Sequence, residues 1–146
     1  MVSISGADDC WSWCGKITHG YGRYTVNSQV VNAHRVAYEL ATGRPPGAML
    51  VDHACLNRSC CNPSHLRLVT VKQNNENLAG PYRNCKAGLR GVYLQDGRWR
   101  AQVYHHSRKY HVGYFATAEE AGEAARLKRL ELFTHNEIDK RETAHV

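Results

Sequence analysis

Between Val51 and Asn74 the chain reads VDHACLNRSCCNPSHLRLVTVKQN, which crowds an Asp-His pair, three cysteines, a second histidine and several carboxamides into two dozen positions. Cys55, Cys60 and His65 follow one another with four residues between each, and Cys10 or Cys14 upstream offers a further donor. Zinc takes four nitrogen or sulfur ligands in a tetrahedron, and a small loop-rich module gains folding free energy from such a site. We therefore expect Cys10, Cys55, Cys60 and His65 to hold a structural Zn²⁺, with Cys14 the rival for the fourth place and Cys61 a small apolar filler. Four protein ligands leave no open position, so this ion holds the loop and does no chemistry. Buried free thiols are the plain alternative. Three cysteines within seven positions, beside Pro63 and a histidine, speak against it. No basic-then-apolar leader opens the sequence, so the thiols are expected to be reduced, in a cytoplasmic setting, rather than paired as disulfides.

The elements that must position these residues follow from local pattern. GYGRYTV and SQVVN read as two strands joined around Asn27-Ser28. Asn32 then caps a helix through AHRVAYELATG, which Gly43 and the Pro45-Pro46 pair stop. MLVDH is a strand ending on Asp52 and His53, LRLVT a return strand, and VKQNNENLA a short polar helix ended by Gly80-Pro81. Neighbours on a strand face opposite ways, so Asp52 and His53 do not share one identical role. Asn74 and the poor helix formers around it suggest a helix kept for what it presents. His34 and Arg35 lie on the first helix; Arg35 either meets an anionic substrate or pairs with Glu39 one turn on.

Residues 81–89 read as a linker. Beyond it come three strands, GVYLQ, RWRAQVYHH and KYHVGYF, the first two joined by Asp96-Gly97. A helix follows, with Thr117 and Glu120 as its capping box and Ala118, Ala121, Ala124, Ala125 and Leu132 along one side. The tail from Thr134 is expected to be polar and frayed. The fold class is thus α+β, in four segments: 1–80, 81–89, 90–133 and 134–146.

The 146-residue chain carries a net charge of +6, and all of that excess lies between Arg83 and Tyr110, where seven Arg and Lys side chains face Asp96 alone. So uneven a distribution suits a nucleic-acid partner. No apolar run approaches the roughly 18 residues of a membrane span, so no membrane partner is expected. On the second of the three strands, Arg98, Arg100, Gln102 and Tyr104 share one face, while Trp99, Ala101 and Val103 share the other. The apolar face can pack on the helix, leaving a basic, amide-rich surface shaped for a DNA major groove.

The stretch from Asp52 to Asn74 resembles the motif of HNH endonucleases, and its cysteine and Asn-Pro-x-His-Leu spacing is similar to the zinc-bearing His-Cys box homing endonucleases of the ββα-metal group. CWSW, GYGRY and AHRVAYEL extend the likeness across residues 8–80. The resemblance implies His53 as general base, Asn74 and Asp52 as ligands of a catalytic Mg²⁺ or Mn²⁺, Asn62 as a loop brace, and double-stranded DNA as substrate. It also implies a phage or mobile-element setting, acting in a bacterial or phage-infected host cell, as monomer or homodimer. Residues 89–133 resemble the AP2 DNA-binding domain. By position, Arg90, Tyr93, Gln95, Arg98, Arg100, Gln102, Tyr104, Lys109 and His111 would face DNA. Two other classes remain: a non-catalytic, sequence-specific DNA-binding protein on a nuclease-derived scaffold, such as a transcription factor, and a zinc-stapled RNA-binding module, which Tyr93 and Tyr104 keep in play.

Overall fold

The computed structural model describes residues 1–78, 80–81 and 85–141. It is a mixed α+β structure whose chain divides into two compact units, Met1–Asn74 and a second beginning at Asn75. Arg83, part of the expected linker, and the end of the expected tail lie outside the described residues.

In the first unit, β1 (Val2–Ser3) pairs with β2 (Ser12–Trp13), and β3 (Ile17–Thr18), β4 (Tyr21–Val26) and β5 (Gln29–Asn32) form an antiparallel sheet. Asn27 and Ser28, both at positive φ, make the tight β4–β5 turn that the polar pair predicts. Helix α1 (Ala33–Thr42) starts at Asn32, whose side-chain oxygen accepts from Arg23 instead of capping the helix. It ends at a left-handed Gly43, whose N–H returns to the Glu39 carbonyl.

Strands β6 (Leu50–His53) and β7 (Leu66–Val69) form a hairpin in the register Asp52 to Arg67 and His53 to Leu66. Its connection holds the cysteine loop and a 3₁₀ turn over Pro63–His65. Helix α2 (Val71–Glu76) then begins at a capping box: the Gln73 N–H donates to Thr70 Oγ1, and the Thr70 N–H to Gln73 Oε1. It stops short of the polar helix expected through Ala79.

The second unit is an antiparallel sheet in the order β10 (Arg108–Phe115), β9 (Arg98–His105), β8 (Val92–Gln95), packed on α3 (Ala118–Leu132). Val92, Ala101, Val103, Ala121 and Ala125 are buried between them, with Trp99, Phe115 and Leu132 alongside. The alternation and the alanine stripe thus meet as expected, and Thr117 and Glu120 form their capping box. Leu94, two residues beyond Val92 on β8, is 62% exposed at the hairpin end. Gly91 sits at φ +84°, and a Cβ there would meet the Gln102 carbonyl oxygen at 2.5 Å, so no other residue fits.

Two expectations about segment limits need correction. Ala87 and Leu89, placed in the linker, pack on the sheet–helix core. The tail from Thr134 is not frayed over its described part: it forms α4 (Glu137–Arg141) and buries Asn136 and Asp139. The reason is polar. Asp139 accepts both Nε and Nη2 of Arg129 at 2.7 Å, the Asn136 amide donates to it, and Arg126 donates to its backbone carbonyl. At the end of α2, buried Glu76 accepts the N–H groups of Thr134 and His135, and Asn77 Oδ1 accepts that of Glu137. Glu76 and Asn77 thus anchor this segment.

Candidate metal centre and active site

Backbone pairing decides which upstream cysteine reaches the loop. The Trp13 N–H donates to the Ser59 carbonyl, and the Cys61 N–H to the Trp11 carbonyl, stitching residues 11–13 along residues 59–61. Asn62, 2% exposed, donates from Nδ2 to the Ala7 and Asp9 carbonyls while its Oδ1 accepts from the Ser64 backbone and hydroxyl. Every bonding position of this carboxamide is thereby occupied in bracing the loop. Cys10 is carried to the cluster, and Cys14 is left exposed.

One ligand atom each from Cys10, Cys55, Cys60 and His65 lies within 4.8 Å of all the others. His65 Nδ1 is 3.7 Å from Cys10 Sγ and 3.6 Å from Cys60 Sγ. A zinc tetrahedron with Zn–S about 2.3 Å and Zn–N about 2.05 Å has S···N edges of about 3.6 Å, so the spacing and the donor types both fit zinc. Burial pushes the Cys55 thiol up to about 12, with Cys60 and Cys10 nearby adding to the effect, and pushes Cys60 up as well. Such thiols ionise at neutral pH when a divalent cation supplies the missing charge. Cys61 is buried outside the cluster, its Sγ against the Ser59 carbonyl, as a filler.

His53 is 5% exposed, and its Nε2 lies 3.1 Å from the Cys60 carbonyl oxygen. A carbonyl only accepts, so Nε2 carries the proton and Nδ1 carries the lone pair. Burial lowers its pKa, against a raising contribution from that hydrogen bond and from Asp52. The result is a neutral imidazole with a basic Nδ1 at physiological pH. The His34 ring packs 4.6 Å from it, centroid to centroid, and the Tyr21 ring 6.1 Å. Burial, His53 and Arg35 push His34 down to about 3, so it too is neutral.

Asp52, its neighbour on β6, is also buried; it accepts a hydrogen bond from Nε of Arg67, the residue directly across the hairpin, at 3.0 Å, and the Arg67 Nη2 completes the ion pair at 3.0 Å. Asn74 is half-buried in α2, and its N–H donates to the Thr70 carbonyl. The capping box that starts this helix is written in the sequence as Thr70-x-x-Gln73, a signal that would have fixed the turn bearing Asn74. Arg35 does not pair with Glu39. Its two terminal nitrogens donate to the Met49 and Gly47 carbonyls at 3.1 Å and tie down the loop after α1.

On the open face of the second unit's sheet, Tyr93 pairs with Arg100, Gln95 with Arg98, Gln102 with His111, and Tyr104 with Lys109. The Arg100 guanidinium donates to Gln95 Oε1 at 2.6 Å and lies 5.8 Å from the Tyr93 ring centre. Gln102 is only 5% exposed, and its Oε1 has no partner among the described residues. Arg90 does not belong to this set. Its guanidinium donates to the Asn75 and Glu76 carbonyls and lies over Phe133, on the helix side of the sheet. Tyr114, absent from the expected set, does belong. A bulge between His111 and Gly113 shifts the alternation by one residue and sets Tyr114 opposite Arg100.

Among the described residues no helix is long and apolar enough to cross a membrane. Residues 31–76, which span α1, the β6–β7 hairpin, the cysteine loop and α2, match the family model of HNH endonucleases. Protein 7.7 of Escherichia phage T7 is 40% identical over 80 residues, which covers 54% of this chain and 62% of its own length. Protein 2.8 of the same phage is 35% identical over 88 residues, covering 58% of each chain. The gene 5.3 protein of Enterobacteria phage T3 is 35% identical over 68 residues, 39% of this chain and 67% of its own. The chain thus belongs to one family with that phage T3 protein and carries an HNH endonuclease domain over residues 31–76. It spans less than two thirds of the length of the two phage T7 relatives. No solved structure matches it.

Proposed function

We propose that this protein is a metal-dependent DNA endonuclease that hydrolyses phosphodiester bonds with His53 as general base. The observation that carries this reading is the hydrogen bond from His53 Nε2 to the Cys60 carbonyl. It fixes the tautomer and leaves Nδ1 to take a proton from the attacking water, and burial keeps the ring neutral so that it can do so. Asp52 and Asn74 are the proposed ligands of a divalent cation. A carboxylate and a carboxamide are hard oxygen donors, which suit Mg²⁺ or Mn²⁺ better than zinc. When bound, that cation would stabilise charge developing on the phosphate and the leaving 3′ oxygen. Arg67 fixes the plane of the Asp52 carboxylate. The zinc-type cluster is separate in donor chemistry and serves as a staple.

Targeting is proposed to come from the open face of the β8–β9–β10 sheet, as an AP2-like module contacting duplex DNA. Arg98, Arg100 and Lys109 supply charge there, while Gln95, Gln102 and His111 supply hydrogen-bonding edges. The phage relatives support a role in the cytoplasm of an infected host, on phage or host DNA. One observation favours a second reading: the ion pair that already engages Asp52 suits a nuclease-derived scaffold that binds DNA without cutting it.

Supercoiled plasmid incubated with the protein and Mg²⁺ separates these readings. Conversion to nicked or linear DNA, lost in His53→Ala, is expected of the endonuclease. Binding without conversion by the wild-type protein would establish the scaffold instead.

A further inference from the structure

The Arg35 guanidinium on the first helix is engaged by the Met49 and Gly47 carbonyls. Arg58 is placed differently. It lies in the cysteine loop between Cys55 and Cys60, is exposed, and has no carboxylate partner among the described residues. Its stem rests on Gly20, where Cδ and Cβ lie 3.4 and 3.7 Å from the position a Cβ would take. Gly20 is at φ +84° in the turn between β3 and β4, so that surface stays bare. The Arg58 guanidinium carbon is 5.4 Å from the centre of the Tyr21 ring, and the same ring is 6.1 Å from that of His53. A guanidinium stacked on an aromatic face keeps its in-plane N–H fork available for a bidentate anion.

We propose that Arg58, held on the Tyr21 ring, is the phosphate-binding cation of the His53 site and grips a non-bridging oxygen of the phosphodiester beside the general base. Phosphate is the ligand this chemistry selects: a planar, exposed cation on the loop whose Cys60 carbonyl holds His53. The catalytic part of the proposal rests on the endonuclease reading; the phosphate contact does not.

The test uses the full chain with zinc bound and a duplex oligonucleotide. In a His53→Ala background, affinity is measured across a series of KCl concentrations with and without Arg58→Ala. One lost phosphate contact lowers the slope of log K against log salt by about 0.9. With His53 intact, Arg58→Ala is expected to lower the nicking rate about 10²–10³-fold, the scale of losing one preorganised charge-stabilising donor. Arg58→Lys should restore most of the salt slope but little of the rate, since an ammonium keeps the charge and lacks the fork. An unchanged salt slope in Arg58→Ala, with an unchanged melting curve, overturns the proposal. A wild-type protein that binds but never nicks overturns the endonuclease reading alone, and the slope then decides Arg58 by itself.

Discussion

Chelating the metal is expected to unfold residues 1–74 and to leave the second unit folded. Among the described residues, the buried apolar side chains of the first unit are Ala33, Val51, Leu66 and Val69, with Cys60 and Cys61. At ~1.5–3 kcal/mol each, Val51, Leu66 and Val69 together contribute ~5–9 kcal/mol. Ordering the backbone of as few as five residues costs about as much, at ~1–2 kcal/mol each. A structural zinc ion contributes ~10–16 kcal/mol, more than the ~5–15 kcal/mol by which whole domains are stable. The first unit therefore has no folded apo state to relax into, whereas the second has its own core around Val92, Ala101 and Val103. The assay is a titration with 1,10-phenanthroline, following zinc release with a colorimetric indicator and the backbone amides by NMR. One equivalent of zinc should leave as the resonances of residues 1–74 collapse and those of the second unit stay dispersed. Cys55→Ser should reproduce the collapse, and Cys14→Ser should keep one equivalent of zinc. Because burial holds Cys55 near 12 and raises Cys60 without the ion, binding expels protons, so zinc affinity must rise with pH. A protein that loses its zinc with an unchanged spectrum would refute the reasoning.

Nicking should depend on a neutral His53. Burial lowers its pKa below the ordinary 6.5, so the midpoint of the acid limb of the rate should lie below 6.5; a pH–rate profile with an acid limb centred above 7 would contradict this. Burial alone would raise the pKa of Asp139, but the hydrogen bonds from Arg129 and Asn136 outweigh it and hold it low. Its contribution to stability is thus complete above its unfolded value of about 3.9 and lost as pH falls through the lower folded one. Asp139→Ala, which strands Arg129 at 7% side-chain exposure, should cost ~3–5 kcal/mol in urea unfolding of the second unit. Thr117→Ala removes the hydroxyl half of a capping box and should cost ~1 kcal/mol in the same assay, with no effect on zinc content.

What the sequence made legible is what depends on residue type and spacing. The cysteine–histidine set, the two hairpin turns at Asn27-Ser28 and Asp96-Gly97, and the sheet–helix core all follow from period, turn chemistry and ligand preference. What stayed hidden depends on backbone atoms or on pairing between distant segments. The choice of Cys10 over Cys14 is made by hydrogen bonds between residues 11–13 and 59–61, which no side chain announces. The bulge at residues 111–113 reverses the alternation that places Tyr114, and a strict period of two cannot see it. Asp139 and Asn136 look like tail residues until Arg129 is found opposite them, because a buried ion pair reads in sequence like any two surface charges.

The link between the cysteine cluster and His53 falls in the same hidden class, and it explains why the two sets of residues are interleaved. Cys60 offers its Sγ to the metal cluster and its carbonyl oxygen to His53 Nε2. A peptide carbonyl is aimed by the φ and ψ angles on either side of it, so whatever fixes the Cys60 sulfur also fixes the direction in which the imidazole is held. The cysteine loop is therefore part of what orients His53, the base of the proposed reaction. Arg58 is carried by the same loop, two residues before Cys60. If His53 is the base and Arg58 the phosphate cation proposed above, a metal in the Cys10, Cys55, Cys60 and His65 cluster would hold both to one loop, the preorganisation that charge stabilisation at a phosphate requires. In a unit with so thin an apolar core, packing alone would not hold that spacing.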